Sequence, residues 1–213
     1  MKAFIIGNGF MDNDDFYINL FETNKPDYII CADGGARHLR RLGFIPDIIV
    51  GDLDSIGEKE LKYYRENNVD IRKYPTEKDE TDTQLAIRTA MGLPVNEIVL
   101  LGAIGSRMDH TLANLYLLQS IVEKNYKACI INERNTIYLI DKRIELEGEK
   151  GTLISLLPFS DQVTGITTKG LYYALNDDNM HKDNPYGVSN RFVEDSISIS
   201  IDSGFLLVIL SVD

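Results

Sequence analysis

The first 132 residues alternate between short apolar runs and longer stretches in which apolar positions recur with helical spacing. The apolar runs show no polar alternation, which is typical of parallel strands buried on both faces. The runs are residues 3–6, 28–32, 48–50, 98–101 and 128–131, and the helical stretches are residues 36–42, 58–67, 83–91 and 112–123. This order predicts an α/β domain with a Rossmann-like open parallel sheet and helices on both faces.

The pattern changes near residue 134, after which helical spacing almost disappears. Short strand candidates, separated by Gly, Pro or Asp, lie at residues 138–140, 153–157, 163–167 and 170–175. We therefore predict two domains, the α/β domain at residues 1–132 and a C-terminal antiparallel β-sandwich at residues 133–213.

Two segments of the second domain have patterns of their own. Residues 196–201 alternate apolar and polar positions with a period of two, residues 202–204 predict a turn, and residues 205–210 predict a more buried returning strand. Residues 176–190 are polar, rich in Asn and Asp, and predict no element. Long loops inside compact domains are uncommon and are often functional or mobile.

Composition and charge narrow the class of protein. The chain has 213 residues, of which 44% are hydrophobic and 26% charged, as in ordinary globular proteins. A formal net charge of −11 disfavours nucleic-acid binding, and no apolar run reaches the roughly 18 residues of a membrane span. Cys31 and Cys129, the two cysteines, lie in apolar runs, which fits a reduced cytoplasmic protein.

Polar clusters follow four strands of the predicted α/β domain, at the point where each strand ends. Ligands of open parallel sheets bind beyond the carboxyl ends of the strands, so the clusters are expected at one rim of the sheet. They are residues 33–36, 51–55, 75–83 and 102–110, and the third of them follows a further strand candidate at residues 70–74. Their shared placement favours a functional site more than any one of them does.

The first cluster places Asp33, Gly34 and Gly35 between a strand and a helix. Two glycines at such a turn allow close backbone approach and leave helix amides free to bind an anion. A tight turn with Asp33 near the helix N-cap is an equally good interpretation.

The second and third clusters are acidic. Asp52 and Asp54, two residues apart after an apolar strand, form a compact pair of oxygen ligands for a hard cation such as Mg²⁺, although Asp54 also suits a helix cap. Asp79 and Asp82 lie in a charged run that also suits a solvated helix start. If these four carboxylates converge, their repulsion is costly without a cation between them.

The fourth cluster combines a flexible turn with Arg107, Asp109 and His110, and Asn114 follows one helical turn later. A guanidinium group can grip phosphate with two parallel hydrogen bonds. His110 taken alone fits a cap or a surface histidine better, but its place at the same rim favours a functional role.

These segments, in this order, resemble the thiamin pyrophosphokinase family over nearly the whole chain. The matching segments are residues 32–36, 51–55, 78–82 and 102–114, and a fifth match, residues 187–190, lies in the polar loop. The resemblance implies an α/β domain followed by a β domain. It also implies transfer of a pyrophosphoryl group from ATP to the hydroxyl of thiamin, which gives thiamin diphosphate and AMP.

The resemblance implies roles for the matched residues. Asp52, Asp54 and Asp82 match the acids that bind Mg²⁺. The residues in the segments that match the nucleotide site are Asp33, Gly34, Gly35, Lys78, Asp79, Thr81, Arg107, Asp109, His110 and Asn114. Ser189 and Asn190 match the thiamin-side motif, which one subunit presents to the α/β domain of the other, so a homodimer is expected.

Catalysis is expected to rest on positioning and charge neutralisation. Asp79 or Asp82 is expected to orient or deprotonate the thiamin hydroxyl, and Arg107 to balance developing charge. The chain departs from the family at Ser106, where glycine is frequent, and at Arg191, where an acid is frequent. Because the chain has no Trp, the candidates for packing on the thiamin rings are Tyr172, Tyr173 and Tyr186.

Three other functions fit part of the pattern. An Asp-Leu-Asp motif after an apolar strand is also typical of phosphohydrolases of the haloacid dehalogenase type, but there it opens the domain. A pterin-type pyrophosphokinase has a similar α/β domain, yet the β domain and residues 187–190 disfavour it. A non-catalytic regulator that binds thiamin or nucleotide is disfavoured by the intact set of acids. Converging carboxylates without a catalytic role would only destabilise the folded protein through their repulsion.

Overall fold

The computed structural model describes residues 1–212 and divides into two compact units. The first unit is Met1–Glu133 and the second begins at Arg134, one residue after the predicted boundary. The predicted end of the second domain, residue 213, lies outside the described residues.

The first unit is a parallel sheet with helices between successive strands. Its strands are β1 (Lys2–Ile6), β2 (Tyr28–Ala32), β3 (Ile48–Gly51), β4 (Asp70–Lys73), β5 (Glu97–Leu101) and β6 (Lys127–Ile131). Its helices are α1 (Asp14–Asn24), α2 (Ala36–Leu42), α3 (Glu58–Glu66), α4 (Asp82–Met91) and α5 (Met108–Val122). The strand order is β6-β5-β1-β2-β3-β4, and all five pairings are parallel.

The strand order of this sheet reverses at β1. Strand β2 pairs on one side of β1 and β5 on the other, so the chain builds the sheet outward in both directions. Open α/β sheets bind their ligands beyond the carboxyl ends of the strands, near the point where the strand order reverses. This is therefore the place where a ligand site is expected in the first unit.

Helix α1 has no counterpart in the sequence prediction. Asn13 is its N-cap, with Oδ1 accepting a hydrogen bond from the Phe16 amide at 3.1 Å. Its fully buried residues are Tyr17 and Phe21, one turn apart. Such a narrow apolar stripe in an 11-residue helix gives a weak periodic signal.

Residues 134–212, the described part of the second unit, form eight strands in two antiparallel groups. The strands are β7 (Asn135–Ile140), β8 (Arg143–Glu147), β9 (Leu153–Pro158), β10 (Gln162–Lys169), β11 (Asp178–His181), β12 (Gly187–Arg191), β13 (Ser196–Ser200) and β14 (Leu206–Ser211). One group has the order β12-β9-β14-β7 and the other β11-β10-β13-β8. Residues from both groups share one core, which includes Leu156, Val163, Ile199 and Val208. The predicted fold class is confirmed: an α/β unit with a parallel sheet and helices is followed by an antiparallel β unit.

Three details of the second unit differ from the sequence prediction. Strands β13 and β14 do not pair: β13 pairs with β8 and β10, and β14 with β7 and β9. The turn at residues 202–204 therefore carries the chain from one group of strands to the other. The polar segment 176–190 contains β11 and most of β12, which both lie at an end of their group, where polar residues are tolerated. Residues 170–175 form no strand.

Strand β8 was missed, although its sequence Arg-Ile-Glu-Leu-Glu alternates charged and apolar residues. Ile144 and Leu146 face the core from this strand.

Among the helices of residues 1–212, none combines the length and the apolar composition that crossing a membrane requires.

Candidate active site

A cleft of about 520 Å³ lies within the first unit, at the carboxyl ends of its strands. Its walls come from the loops after β1, β2, β3, β4 and β5 and from the first turns of α4 and α5. The predicted residues that line it are Asp33, Asp52, Lys78, Thr81, Asp82, Arg107, His110 and Asn114. The structure thus brings all four polar clusters of this unit to one place.

Three carboxylates meet in this cleft. Asp33 follows β2, Asp52 follows β3, and Asp82 begins α4, and each offers one oxygen within 4.8 Å of the others. Asp33 is only 9% exposed. Three anions this close together repel strongly in a partly buried site unless positive charge lies between them.

The donor set fits a hard divalent cation. Oδ1 of Asp33 is buried and accepts no hydrogen bond from the described residues, and the same holds for Oδ1 of Asp82, which has only an ion-pair contact with Lys78 Nζ at 2.9 Å. The Lys78 ammonium compensates Asp82 Oδ1, whereas nothing among the described residues compensates the burial of Asp33 Oδ1, and buried carboxylate oxygens of this kind are rare. Carboxylate oxygens at converging positions are the ligands that Mg²⁺ takes from proteins.

The backbone around the three carboxylates is strained. Asp33 has a φ of 41° and the buried Leu53 a φ of 67°, both in the left-handed region. Gly51 has a φ of 148°, and a Cβ there would lie 2.9 Å from Asp33 Cβ and 3.3 Å from Asp82 Oδ1. Left-handed non-glycine residues cost about 1–3 kcal/mol and cluster at functional sites. Gly51 is what allows Asp33 and Asp82 to approach each other.

Hydrogen bonds keep Asp52 ionised. The backbone amide of Asp54 donates to Asp52 Oδ1 at 3.2 Å. This hydrogen bond is the largest influence on the pKa of Asp52 and lowers it, and the Thr76 side chain and the charge of Lys78 lower it further against the effect of burial. Lys78 also donates to Pro75 O at 3.2 Å, so its ammonium group is fixed beside the carboxylates.

Two predicted acids lie outside the carboxylate group. Asp54 is exposed, its Oδ1 accepts a hydrogen bond from Ser55 Oγ at 3.1 Å, and its carboxylate is not among the three that converge. The third member of the group is Asp33, whereas the sequence predicts Asp54. Asp79 is exposed and does not line the cleft.

Arg107 and Asp109 form an exposed bidentate pair before and in the first turn of α5. Arg107 Nε and Nη2 donate to the two carboxylate oxygens of Asp109 at 3.2 and 2.6 Å. These bonds, together with one from the His110 amide, lower the pKa of Asp109 to about 2. Arg107 lines the cleft and Asp109 does not, so Asp109 acts on the cleft by orienting the guanidinium group.

Four predicted binding residues have structural contacts of their own. Asn114 Nδ2 donates to Ala103 O at 2.7 Å and so fixes the loop after β5. Thr81 caps α4 in a reciprocal capping box with Gln84. A Cβ on Gly34 would lie 2.8 Å from the Asn8 side chain, and one on Gly35 would lie 2.1 Å from a backbone oxygen of β1. Neither glycine lines the cleft.

The loop after β1 belongs to the cleft, although the sequence prediction placed no site residue there. Asn8, Gly9 and Phe10 line the cleft. Thr76 and Glu80, from the polar cluster at residues 75–83, line it as well. The signal was available, because a glycine-containing turn follows an apolar strand here as it does after β2 and β5. A Cβ on Gly9 would lie 2.4 Å from Ile104 O, so only glycine allows this loop to approach the loop after β5.

In the second unit, Asn190 is buried and uses its amide within the fold. Its Oδ1 accepts from the amides of Tyr173 and Arg191 at 3.0 and 2.9 Å, and its Nδ2 donates to Tyr173 O at 2.8 Å. Ser189 is exposed in a left-handed conformation with a φ of 60°. The Tyr172 ring, 53% exposed, packs under the Arg191 guanidinium group at 4.3 Å. Asn190 therefore positions an exposed aromatic surface.

Two family models match the chain. The model described as thiamin pyrophosphokinase, catalytic domain, matches residues 21–130, and the model described as thiamin pyrophosphokinase, vitamin B1 binding domain, matches residues 140–206. The first match covers the carboxylate group, and the second covers Ser189 and Asn190.

Relatives and solved structures agree with these matches. The chain is 32% identical over 194 residues to thiamine pyrophosphokinase of Bacillus subtilis, with 90% of each protein covered. The crystal structure of thiamine pyrophosphokinase from Bacillus subtilis covers 100% of both chains with a TM-score of 0.87 at 28% identity. That of the Geobacillus thermodenitrificans protein covers 100% of this chain and 98% of that one, with a TM-score of 0.85 at 25% identity. The chain belongs to the thiamin pyrophosphokinase family, as its sequence predicted.

Proposed function

We propose that this chain transfers the pyrophosphoryl group of ATP to the hydroxyl of thiamin, giving thiamin diphosphate and AMP, in the cleft of its first unit. The observation that carries the proposal is the convergence of three carboxylates at the carboxyl ends of a parallel sheet, where the buried Asp33 Oδ1 accepts no hydrogen bond from the described residues. Such a group is suited to a divalent cation bound to a polyphosphate.

Asp33, Asp52 and Asp82 are proposed to hold Mg²⁺. The ion supplies positive charge for the phosphate oxygens and a template for their geometry. Asp54, the fourth candidate ligand, follows Asp52 by two residues and stays a prediction. Its backbone amide already holds Asp52 in place.

Two basic side chains complement the metal ligands. Lys78, which lies 2.9 Å from Asp82, supplies positive charge on the side of α4. Arg107, on the side of α5, is fixed by Asp109 and is proposed to balance the charge that develops on the phosphates. His110 lines the cleft next to it and is proposed to contact the nucleotide.

Either Asp79 or Asp82 is proposed to orient or deprotonate the attacking hydroxyl. Asp82 lines the cleft but is shared with the proposed metal site, whereas Asp79 is exposed and available to a thiamin molecule that enters from outside. A base must lie within hydrogen-bond reach of the proton that it accepts. The two carboxylates therefore stay alternatives.

The thiamin side of the site is proposed to come from the second unit of another subunit, in a homodimer. Ser189 and the rings of Tyr172, Tyr173 and Tyr186 are all exposed in this unit, and aromatic faces are good partners for the cationic thiazolium ring.

A cytoplasmic location is also proposed. It is supported by Cys31 and Cys129, which are buried free thiols.

The shared site predicts complementation between two inactive variants. We expect Asp82→Asn to disable the first unit and Ser189→Trp to block the thiamin side. Random reassociation of the two should restore about a quarter of wild-type activity, because half of the dimers are mixed and each mixed dimer has one intact site. Activity of each variant alone is the control. No recovery after verified subunit exchange would contradict a site shared between subunits.

The reaction itself is tested by incubating the protein with thiamin, ATP and Mg²⁺ and separating the products. We expect AMP and thiamin diphosphate in equal amounts, with neither formed when thiamin is left out. ADP would indicate an ordinary kinase, and phosphate release without thiamin a phosphohydrolase. Transfer to a pterin alcohol would indicate the pterin-type enzyme. Binding of thiamin and ATP without any product would indicate a regulator.

A further inference from the structure

The loop that joins β1 to α1, residues 7–13, forms one wall of the cleft. Gly9 and Phe10 line the cleft, and the Phe10 side chain is 50% exposed there. Their amides donate to Gly102 O and to Ile104 O, each at 2.7 Å. The backbone that faces the cleft is therefore joined directly to the loop after β5.

A carboxylate that is distant in sequence holds the far end of this loop. Glu133 Oε1 accepts hydrogen bonds from the amides of Asp12 and Asn13 at 2.7 and 3.1 Å. Burial opposes the ionisation of Glu133, but hydrogen bonds from backbone amides, including those of Asn13 and Asp12, lower its pKa overall. Charge-assisted hydrogen bonds of this kind are about twice as strong as neutral ones.

Tyr17 lies beside the partly exposed Glu133 carboxylate. The Tyr17 side chain is buried, and its hydroxyl makes no hydrogen bond of standard geometry with the described residues. Burial and then the charge of Glu133 raise the pKa of Tyr17, so the hydroxyl stays protonated. A neutral hydroxyl beside the carboxylate does not weaken its hold on the loop.

Helix α2 holds the middle and the near end of the loop. Arg41 Nη2 donates to Met11 O, and its Nε lies 3.0 Å from Asp14 Oδ1. Arg37 Nη2 donates to Asn8 Oδ1 at 2.9 Å. The loop is thus fixed at both ends and in the middle by side chains from elsewhere in the first unit.

We propose that Glu133 and Arg41 are positioning residues for nucleotide binding, because they fix residues 7–13 so that Gly9 and Phe10 present a preformed wall to ATP. Neither Glu133 nor Arg41 lines the cleft, so their effect passes through the loop. The inference rests on the proposed function. A preformed wall lowers the entropy lost on binding, so its loss weakens nucleotide affinity more than it slows the chemical step.

The test compares Glu133→Ala, Glu133→Gln and Arg41→Met with a control, Glu22→Ala, at an exposed position of α1. For Glu133→Ala we expect about tenfold weaker binding of Mg·ATP by calorimetry and a similar rise in KM for ATP, since a lost charge-assisted hydrogen bond has about this effect. The values of kcat and of KM for thiamin should stay within about twofold, because the loop is not expected to contact thiamin or the catalytic acids. Hydrogen exchange at residues 9–13 should be faster than in the wild type.

Glu133→Gln keeps an oxygen acceptor, so it should restore most of the affinity, within about threefold of the wild type. It also serves as the test if Glu133→Ala does not fold. Arg41→Met should reproduce the pattern of Glu133→Ala, and Glu22→Ala should match the wild type.

Unchanged Mg·ATP affinity in Glu133→Ala and Arg41→Met would overturn the inference. Equal losses in kcat and in both KM values, together with a lower melting temperature, would also overturn it, because they would indicate a merely structural role. If the wild type itself binds Mg·ATP and forms AMP, such a result leaves the proposed function standing. If the wild type binds no Mg·ATP, the proposed function fails and the inference fails with it.

Discussion

Replacing Asp82 or Asp52 with Asn is expected to lower kcat at least about 100-fold, because each change removes a charged ligand from the proposed metal site and such ligands contribute several kcal/mol. The two side chains lie in the same group of three carboxylates. Steady-state assays of AMP formation across a range of Mg²⁺ concentrations measure the effect. The Mg²⁺ concentration needed for half-maximal activity should rise as well.

A matched pair of variants decides which acid completes the metal site. Asp33→Asn changes a member of the convergent group, whereas Asp54→Ala changes an exposed acid outside it. We expect Asp33→Asn to resemble Asp82→Asn in its loss of activity. Near-normal turnover of Asp54→Ala at saturating Mg²⁺ would show that the prediction of Asp54 as a ligand is wrong, and a loss as large as that of Asp52→Asn would support it.

Stability measurements separate these losses from unfolding. Because Asp33 lies close to two other carboxylates without a cation, Asp33→Asn should have a melting temperature equal to or above that of the metal-free wild type. Asp52→Asn weakens the hydrogen bond from the Asp54 amide and Asp82→Asn removes the ion pair with Lys78, so we expect these two variants to lose no more than about 1 kcal/mol of stability while they stay folded. Asp15→Asn, at an exposed position in the first turn of α1, is the control; it should leave activity unchanged and lower stability by less than about 1 kcal/mol, through the lost interaction with the helix dipole. Full activity of Asp82→Asn and Asp52→Asn would refute the proposed metal site.

Replacing Gly35 with Ala is expected to destabilise the protein by about 3 kcal/mol or more, at the upper end of the range for overpacking. A Cβ at this position would lie 2.1 Å from Ile6 O and 2.8 Å from Ile6 C, and both are backbone atoms of β1. Neither can move without breaking the parallel pairing of β1 with β2. Chemical denaturation monitored by circular dichroism measures the change in the free energy of unfolding.

Gly57→Ala is the matched control for this prediction. Gly57, the N-cap of α3, has a φ of −67°, and apart from its chain neighbours no atom of the described residues lies within 4 Å of a Cβ built there. Ala is a poorer N-cap than Gly but lowers the entropy of the unfolded chain, so we expect the free energy of unfolding of Gly57→Ala to stay within about 0.5 kcal/mol of the wild type. If Gly35→Ala is stable but no longer binds ATP, this glycine is needed for phosphate binding rather than for the packing of α2 against the sheet.

The role of the glycines near the cleft could not be predicted from the sequence alone. A glycine pair between a strand and a helix is equally compatible with a phosphate turn and with close packing, because both need a small residue. The distance from Gly35 to β1 favours packing. The sequence did not predict the loop after β1 as part of the site. Gly9 is needed there because the loop packs closely against Ile104, which is 95 positions away in the chain.

The second unit shows the same limit for strand pairing. The strong local patterns of residues 196–201 and 205–210 predict the two strands, which the structure has at Ser196–Ser200 and Leu206–Ser211. Their pairing in different groups depends on partners elsewhere in the chain. Strand β11 gave no apolar signal, because an end strand needs few buried side chains. Helix α1 gave little signal for a similar reason, since it buries only two residues fully.

The sequence by itself determined the parallel α/β order, the rim of the sheet where the polar clusters lie, and the family, because these depend on local periodicity and on motifs of adjacent residues. The tertiary structure alone decided that Asp33 rather than Asp54 joins Asp52 and Asp82, and that Glu133 fastens the loop after β1. Both depend on distances between residues far apart in the chain. Such distances follow from how the strands pack, which local pattern does not specify.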